Sequence, residues 1–144
     1  MGHSQKMNDA VKEILTGSYD LQVYAGPDPS EERRLDVLEV ARHAYEAEMA
    51  GFVLKSHDYV TSPLAYVLNR MYPGLTVVGA IALNCSVGGL NPHAVQIAAN
   101  LGARIVWMPT HSADFHLRSH GCTGGIKLTN DQGSLRPAIF DILD

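Results

Sequence analysis

Apolar positions fall in two kinds of run along this chain. Four short runs are dense in apolar and β-branched residues: Tyr19–Tyr24, Gly51–Lys55, Thr76–Leu83 and Arg104–Met108. They read as nearly continuous rather than alternating, the pattern of strands buried on both faces. Between them, apolar residues recur at helical spacing. After Pro29-Ser30, positions Val37, Leu38, Ala41, Ala44 and Tyr45 share one helix face, while Glu32, Asp36, Glu39, His43 and Glu46 line the other. Ser30 is the expected cap, with Glu31 and Glu32 in the positive first turn. A second helix is expected from Ser62-Pro63, carrying Leu64, Val67, Leu68 and Met71 and stopped by Tyr72-Pro73-Gly74. A third starts at Asn91-Pro92, repeats Ala94, Ile97, Ala98 and Leu101, and closes at Gly102.

The order β-α-β-α-β-α-β predicts an α/β fold with a parallel sheet and right-handed crossovers. After Thr110 comes a segment rich in His, Ser and Gly. Within it, Gly125–Leu128 and Ser134–Leu135, around Asn130-Asp131-Gln132-Gly133, predict a small β-hairpin insertion, and Pro137–Leu143 begins a fourth helix. Residues 1–17 read as a polar N-terminal extension and residues 18–144 as a single domain. A full (β/α)₈ barrel takes roughly 250 residues, so these units resemble the N-terminal half of a TIM barrel. The first and fourth strands are then unpaired edges, which predicts a homo-oligomer, most simply a dimer.

Composition narrows the function classes. Hydrophobic residues at 46% against 18% charged exclude a disordered chain. With 11 Lys+Arg against 15 Asp+Glu and no basic cluster, the chain is a poor nucleic-acid binder. Its longest apolar runs fall short of the ~20 residues a membrane helix needs. Met1–Ala10 has no secretory pattern, and two cysteines, Cys85 and Cys122, make no disulfide scaffold, which together indicate the cytoplasm.

In a parallel α/β fold the working residues sit past the C-terminal ends of the strands. Here those ends offer Asp20, Gln22, Tyr24 and Asp28 from the first strand, and Lys55 and His57 from the second. The third offers Asn84, Cys85, Gly88 and Gly89; the fourth offers Thr110 and His111, followed by His116 and His120. Lys55 ends an apolar run, where it either pairs with Asp20 or Asp28 or serves a site, since burying a lysine is costly. His57 is either a loop-bonded strand-end residue or a proton carrier. His116 and His120, four apart, suit two metal ligands on one helical turn. Gly88-Gly89, before a helix start, form either an anion cradle or a tight turn needing positive φ. Cys85 reads as a small packed residue, His43 and His93 as solvated, and His3 as a tail residue.

Four stretches carry a family likeness. These are Asp20-Leu21-Gln22-Val23-Tyr24-Ala25-Gly26-Pro27-Asp28, Val53-Leu54-Lys55-Ser56-His57, Leu83-Asn84 with Val87-Gly88-Gly89-Leu90-Asn91-Pro92, and Val106-Trp107-Met108-Pro109-Thr110. In this order and spacing they resemble an amidohydrolase-like family of cytosolic metal-dependent hydrolases with a TIM-barrel fold, from about Tyr19 to the last residue. The resemblance implies a small-molecule hydrolase with a divalent metal, zinc or manganese. It carries over Lys55 and His57 as second-strand site residues and His116 as the loop histidine; joined with the strand-end reading, the candidates are Asp20, Lys55 and His57 for catalysis and His57, His111, His116 and His120 for the metal. Ligand-binding roles fall to Gln22, Tyr24, Asp28, Asn84, Gly88, Gly89 and Thr110. The family opens on Asp-Leu-His-x-His, and Gln22 and Tyr24 occupy the two histidine positions here. A neutral amide and a phenol are weak ligands for a transition metal. The alternative expectation is therefore a non-catalytic small-molecule-binding module, or a subunit of a larger oligomer, in which Gln22 and Tyr24 hydrogen-bond the ligand.

Overall fold

In the computed structural model, which describes residues 10–144, four parallel strands lie side by side in sequence order. They are β1 (Tyr19–Val23), β2 (Gly51–Leu54), β3 (Thr76–Ala82) and β4 (Ala103–Trp107). The crossovers are α1 (Val37–Glu46), α2 (Ser62–Met71) and α3 (Pro92–Asn100); α4 (Asp114–Ser119) and α5 (Pro137–Leu143) follow β4. This is the α/β fold of parallel β/α units that the element order predicts. The described residues form an open sheet rather than a closed barrel, with β1 and β4 at its edges. Among them, no helix is long and apolar enough to cross a membrane. The expected N-terminal extension is helical over residues 10–15; its first nine residues, His3 included, lie outside the described residues.

Helix starts follow local hydrogen bonding. Asn91 caps α3 as expected, its Oδ1 accepting from the amides of His93 and Ala94 at 3.1 and 3.2 Å. For α1 the expected start after Ser30 is corrected. Asp36 Oδ1 accepts from the amides of Leu38 and Glu39, both at 2.8 Å, and Glu39 Oε2 accepts from the Asp36 amide at 3.0 Å. That reciprocal pair outcompetes Ser30 as a start signal. The amides of Ser30 and Glu31 bond Asp28 Oδ1 instead, which makes residues 29–35 a loop. Likewise Thr61, not Ser62, takes the cap position of α2.

Two side chains of the α2 region complete the sheet where strands do not. Asn69 brackets Val77, accepting its amide at 2.7 Å and donating to its carbonyl at 2.8 Å. Thr61 does the same for Ala80: its Oγ1 accepts the Ala80 amide at 2.8 Å and its own amide donates to the Ala80 carbonyl at 3.0 Å. The Thr61 hydroxyl then donates to the Leu54 carbonyl at 2.6 Å. β2 pairs with β3 only as far as Val53 with Val78, and this buried threonine satisfies the backbone where the two strands part.

The core has two parts. Phe52, Leu54 and Val77 pack with Val37, Ala41, Ala44, Ala65 and Leu68 under α1 and α2. Ile81 and Leu83 pack with Ala98 under α3, joined by Ile142 of α5. Burial on both faces holds for β2 but not for the edge strands. Leu21 of β1 is 64% exposed, and β4 alternates between exposed and half-buried positions. The expected hairpin is present in a reduced form, with the Asn130 amide donating to the Ser134 carbonyl at 2.8 Å and the Arg136 amide to the Leu128 carbonyl at 2.9 Å. Only one antiparallel bridge, Thr129 with Leu135, joins its two arms. Ile126 pairs instead with Ala113 in the parallel sense, its amide donating to the Ser112 carbonyl at 2.7 Å. Gly125 lies so close to the Asp114 backbone that no side chain fits there, so the start of this segment docks on the start of α4.

Candidate functional site

Loops leaving the C-terminal ends of β1, β2 and β4 converge and stack five rings in one column. The Tyr24 ring lies 5.0 Å from that of His57, and His57 lies 3.7 Å from His111 with planes 22° apart. His111 lies 5.4 Å from His116, and His116 lies 4.5 Å from His120. The last two sit on and just after α4, a short helix that the Ser- and His-rich sequence does not announce. The four strand-end histidines singled out from sequence are thus brought together.

Asn84 holds the column in place. It follows β3 and is 2% exposed. Its Nδ2 donates to the His57 carbonyl and to Thr110 Oγ1, both at 2.9 Å. Its Oδ1 accepts from the amides of Thr110 at 2.9 Å and Ser112 at 3.1 Å. Three strand ends are tied through this one amide. Thr110 Oγ1 in turn meets His57 Nδ1 at 2.8 Å. Because Thr110 occupies Nδ1, Nε2 is the nitrogen left for a ligand. It acts as a base when Nδ1 carries the proton, and as a donor when Thr110 donates.

Positive charge gathers beside the column. Lys55 is 5% exposed, with Nζ 4.2 Å from the centre of the Trp107 ring and 5.4 Å from that of Tyr24. The expected alternative, a salt bridge to Asp20 or Asp28, is not formed. Arg33 lies 4.8 Å from the centre of the Tyr24 ring and binds Asp28 through Nε at 2.6 Å. Burial alone raises the Asp28 carboxyl. The Ser30 amide, the Arg33 guanidinium and the Glu31 amide outweigh that and hold it below its ordinary value. For His57, burial comes first, then the charges of His111 and Lys55, and together they lower its pKa below 6.5; Asp58 opposes them.

These two shifts give stability the same sign of pH dependence. Below pH 6.5 the unfolded chain protonates at His57 before the folded one does, so acidification through that range favours unfolding. The Asp28 contribution is fully present above 3.8 and is lost only below it. The urea midpoint is expected to fall from about pH 7.5 to about pH 5.5, and to fall less in His57→Asn. An equal fall in both proteins would remove His57 as the cause.

Other predicted residues lie apart or have other partners. Asp20 pairs with Phe52 in the sheet, bonds the Gln22 amide at 2.9 Å, and lines a crevice with Val40 and His43, away from the rings. Gln22 Nε2 donates to the Tyr24 hydroxyl at 3.0 Å. The amides of Gly88 and Gly89 donate to the carbonyls of Cys85 and Asn84 at 3.0 and 2.9 Å. Both glycines have positive φ, so they form the tight turn, and no amide is left for an anion cradle. Cys85, expected to be packed, is exposed. Sequence reasoning passed over Arg33 and Trp107. The signal for Trp107 was its place as the last residue of β4; Arg33 had none.

The rings were tested as a metal centre. Imidazole lone pairs lie in the ring plane, so those of the face-to-face His57 and His111 run alongside each other without converging. Nδ1 of His120 is engaged by the His116 carbonyl at 2.9 Å. Among the described residues, no three His, Cys, Asp or Glu side chains are placed to share an ion. As placed, the residues do not fit a zinc or manganese centre, which would require His111 and His116 to turn out of the stack.

Comparison with known proteins adds one likeness. A family of unknown function (DUF6282) matches residues 17–144. No curated protein and no solved structure matches the chain.

Proposed function

We propose that this chain, which belongs to the DUF6282 family of unknown function, is a small-molecule hydrolase of the amidohydrolase-like class. One observation carries the reading: His57, stacked at 3.7 Å on His111 and oriented by Thr110, shares the strand ends with the buried side chain of Lys55, whose charge acts on it. His57 is neutral at neutral pH, so its Nε2 takes a proton from water as the water oxygen adds to the substrate carbonyl. Lys55 faces the negative charge that develops on the carbonyl oxygen, and His57 returns the proton to the leaving group. This chemistry uses the chain's own residues alone.

A second reading, a binding module without turnover, is favoured by the Gln22–Tyr24 hydrogen bond at the positions where the resembled family carries two histidines. In either reading the ligand is a small molecule. The exposed edge β1 supports a homo-oligomer, and the free thiols of Cys85 and Cys122 suit the reducing cytoplasm.

The test is a panel of small esters, amides and phosphate monoesters offered to wild type and His57→Ala. Turnover by wild type is expected to fall about 10²-fold in the variant. Equal turnover in both removes His57 from the reaction. No turnover by wild type on any member overturns the hydrolase and leaves the binding module.

A further inference from the structure

Among the described residues, Lys55 is a buried lysine at the strand ends that pairs with no carboxylate. The ion pairs among the described residues are Lys12–Glu48, Arg33–Asp28, Arg33–Glu31 and Arg118–Asp114. Lys55 enters none of them, although it is only 5% exposed. A lysine with so little exposed surface and no protein partner for its ammonium is uncommon, since such side chains are normally paired. The nearby carboxylates are committed elsewhere. Asp28 holds Arg33 and two backbone amides, and Asp58 accepts from the Ser30 hydroxyl at 2.7 Å. The faces of Trp107 and Tyr24 offset part of the cost as ring quadrupoles. They supply no acceptor lone pair in the ammonium's direction. Trp107 adds a second unmet donor, since its indole Nε1 is buried with no hydrogen-bond partner. Arg33, over the face of Tyr24, adds a second cation on the same side of the column.

We infer that Lys55 is the anchor for an oxyanion group of the substrate, a carboxylate or a phosphate, seated between the rings of Tyr24 and Trp107 beside His57. The inference deepens the proposed hydrolase by naming its substrate class, small molecules bearing an anionic oxygen group. The anion takes part of the ammonium's three N–H donors, leaving one for the charge that develops on the carbonyl oxygen, and brings the scissile bond to the imidazole column. Arg33 is a poorer anchor because its Nε and Nη1 already bond Asp28 and Glu31.

Trp107 is the chain's one tryptophan and touches Lys55, so its fluorescence reports this position. Inorganic phosphate and acetate are titrated separately into the full chain, against sodium chloride at matched ionic strength. Phosphate, acetate or both are expected to change Trp107 emission saturably, and chloride is not. The anion that binds tighter identifies the substrate's group as phosphate or carboxylate. Lys55→Met, which keeps the chain length and loses the charge, is expected to weaken binding at least about tenfold. Following the His57 ring by NMR in the wild type alone gives the same answer if the variant fails to fold, since both anions bind beside it. No saturable response to either anion, or equal affinity in a folded Lys55→Met, overturns the inference. Saturable binding without turnover of any ester sinks the hydrolase and leaves the anchor standing. Turnover of neutral esters with no response to either anion does the reverse.

Discussion

Asn84→Ala is expected to lower the unfolding free energy by about 3 kcal/mol or more and to loosen the histidine column. The truncation removes four hydrogen bonds at a position 2% exposed. The His57 carbonyl keeps one partner, the Ser86 hydroxyl at 3.2 Å. The amides of Thr110 and Ser112 keep none, and each buried unsatisfied donor costs about 1–3 kcal/mol. Thr110 also loses the contact that aims its hydroxyl at His57. Urea denaturation reads the first effect, and the dispersion of the histidine ring signals in NMR reads the second. A loss below about 1 kcal/mol with unchanged ring signals would show that the loops hold the column without this residue.

Gly79→Ala is expected to be strongly destabilising although it adds a single methyl group. A Cβ at Gly79 would lie 2.5 Å from Ser62 Cα and 2.7 Å from Ser62 Oγ. The obstacle is helix backbone, so no rotamer change relieves it. The first residue of α2 would have to lift from β3, and with it Thr61, which completes the Ala80 backbone. Overpacking of this kind costs about 1–3 kcal/mol where side chains can move and more where backbone must. Against a typical total of about 5–15 kcal/mol, Gly79→Ala should be recovered mostly unfolded or with a melting temperature lowered by more than about 10 °C. Gly74→Ala meets nothing within 4 Å but sits at φ +99°, so it is the control for backbone strain without a clash and should cost less than Gly79→Ala. Equal stability of the two variants would refute the close approach of α2 to β3.

What the sequence made legible was the part governed by local signals. Pro63 and Pro92 near helix starts, with Asn91 as cap, placed α2 and α3 within a residue. α1 was placed too early because Ser30-Glu31-Glu32 imitates a start, while the decisive Asp36-x-x-Glu39 pair lay inside the assumed helix. β1 differs because it is an edge strand: Tyr19 and Leu21 have the residue types of a core strand, yet both are exposed, and no local signal says what covers a sheet edge. α4 was invisible: six residues beginning Asp114-Phe115-His116 carry too few apolar repeats to stand out. At the site, the rule that chemistry gathers at strand ends found all four histidines of the column. It could not find the clamp by Asn84 or the seat of Lys55 against Trp107, since both depend on distances between strands that are far apart in sequence. The same limit applied to Asp20, whose strand was right and whose position along it was not at the working end.

The strand order carries a consequence for how the molecule comes into being. Each strand pairs with the one before it in the chain, through registers such as Tyr19 with Gly51, Gly51 with Thr76, and Gly79 with Ala103. Every pairing therefore closes a loop of similar, modest length, and none waits for a distant segment. A chain leaving the ribosome can lay each β/α unit onto its predecessor as it emerges, with the growing edge always the most recent strand. The imidazole column is assembled last in that sequence, because His111, His116 and His120 all follow β4. Until then, Lys55 and His57 stand at an open rim without the rings that later stack against them.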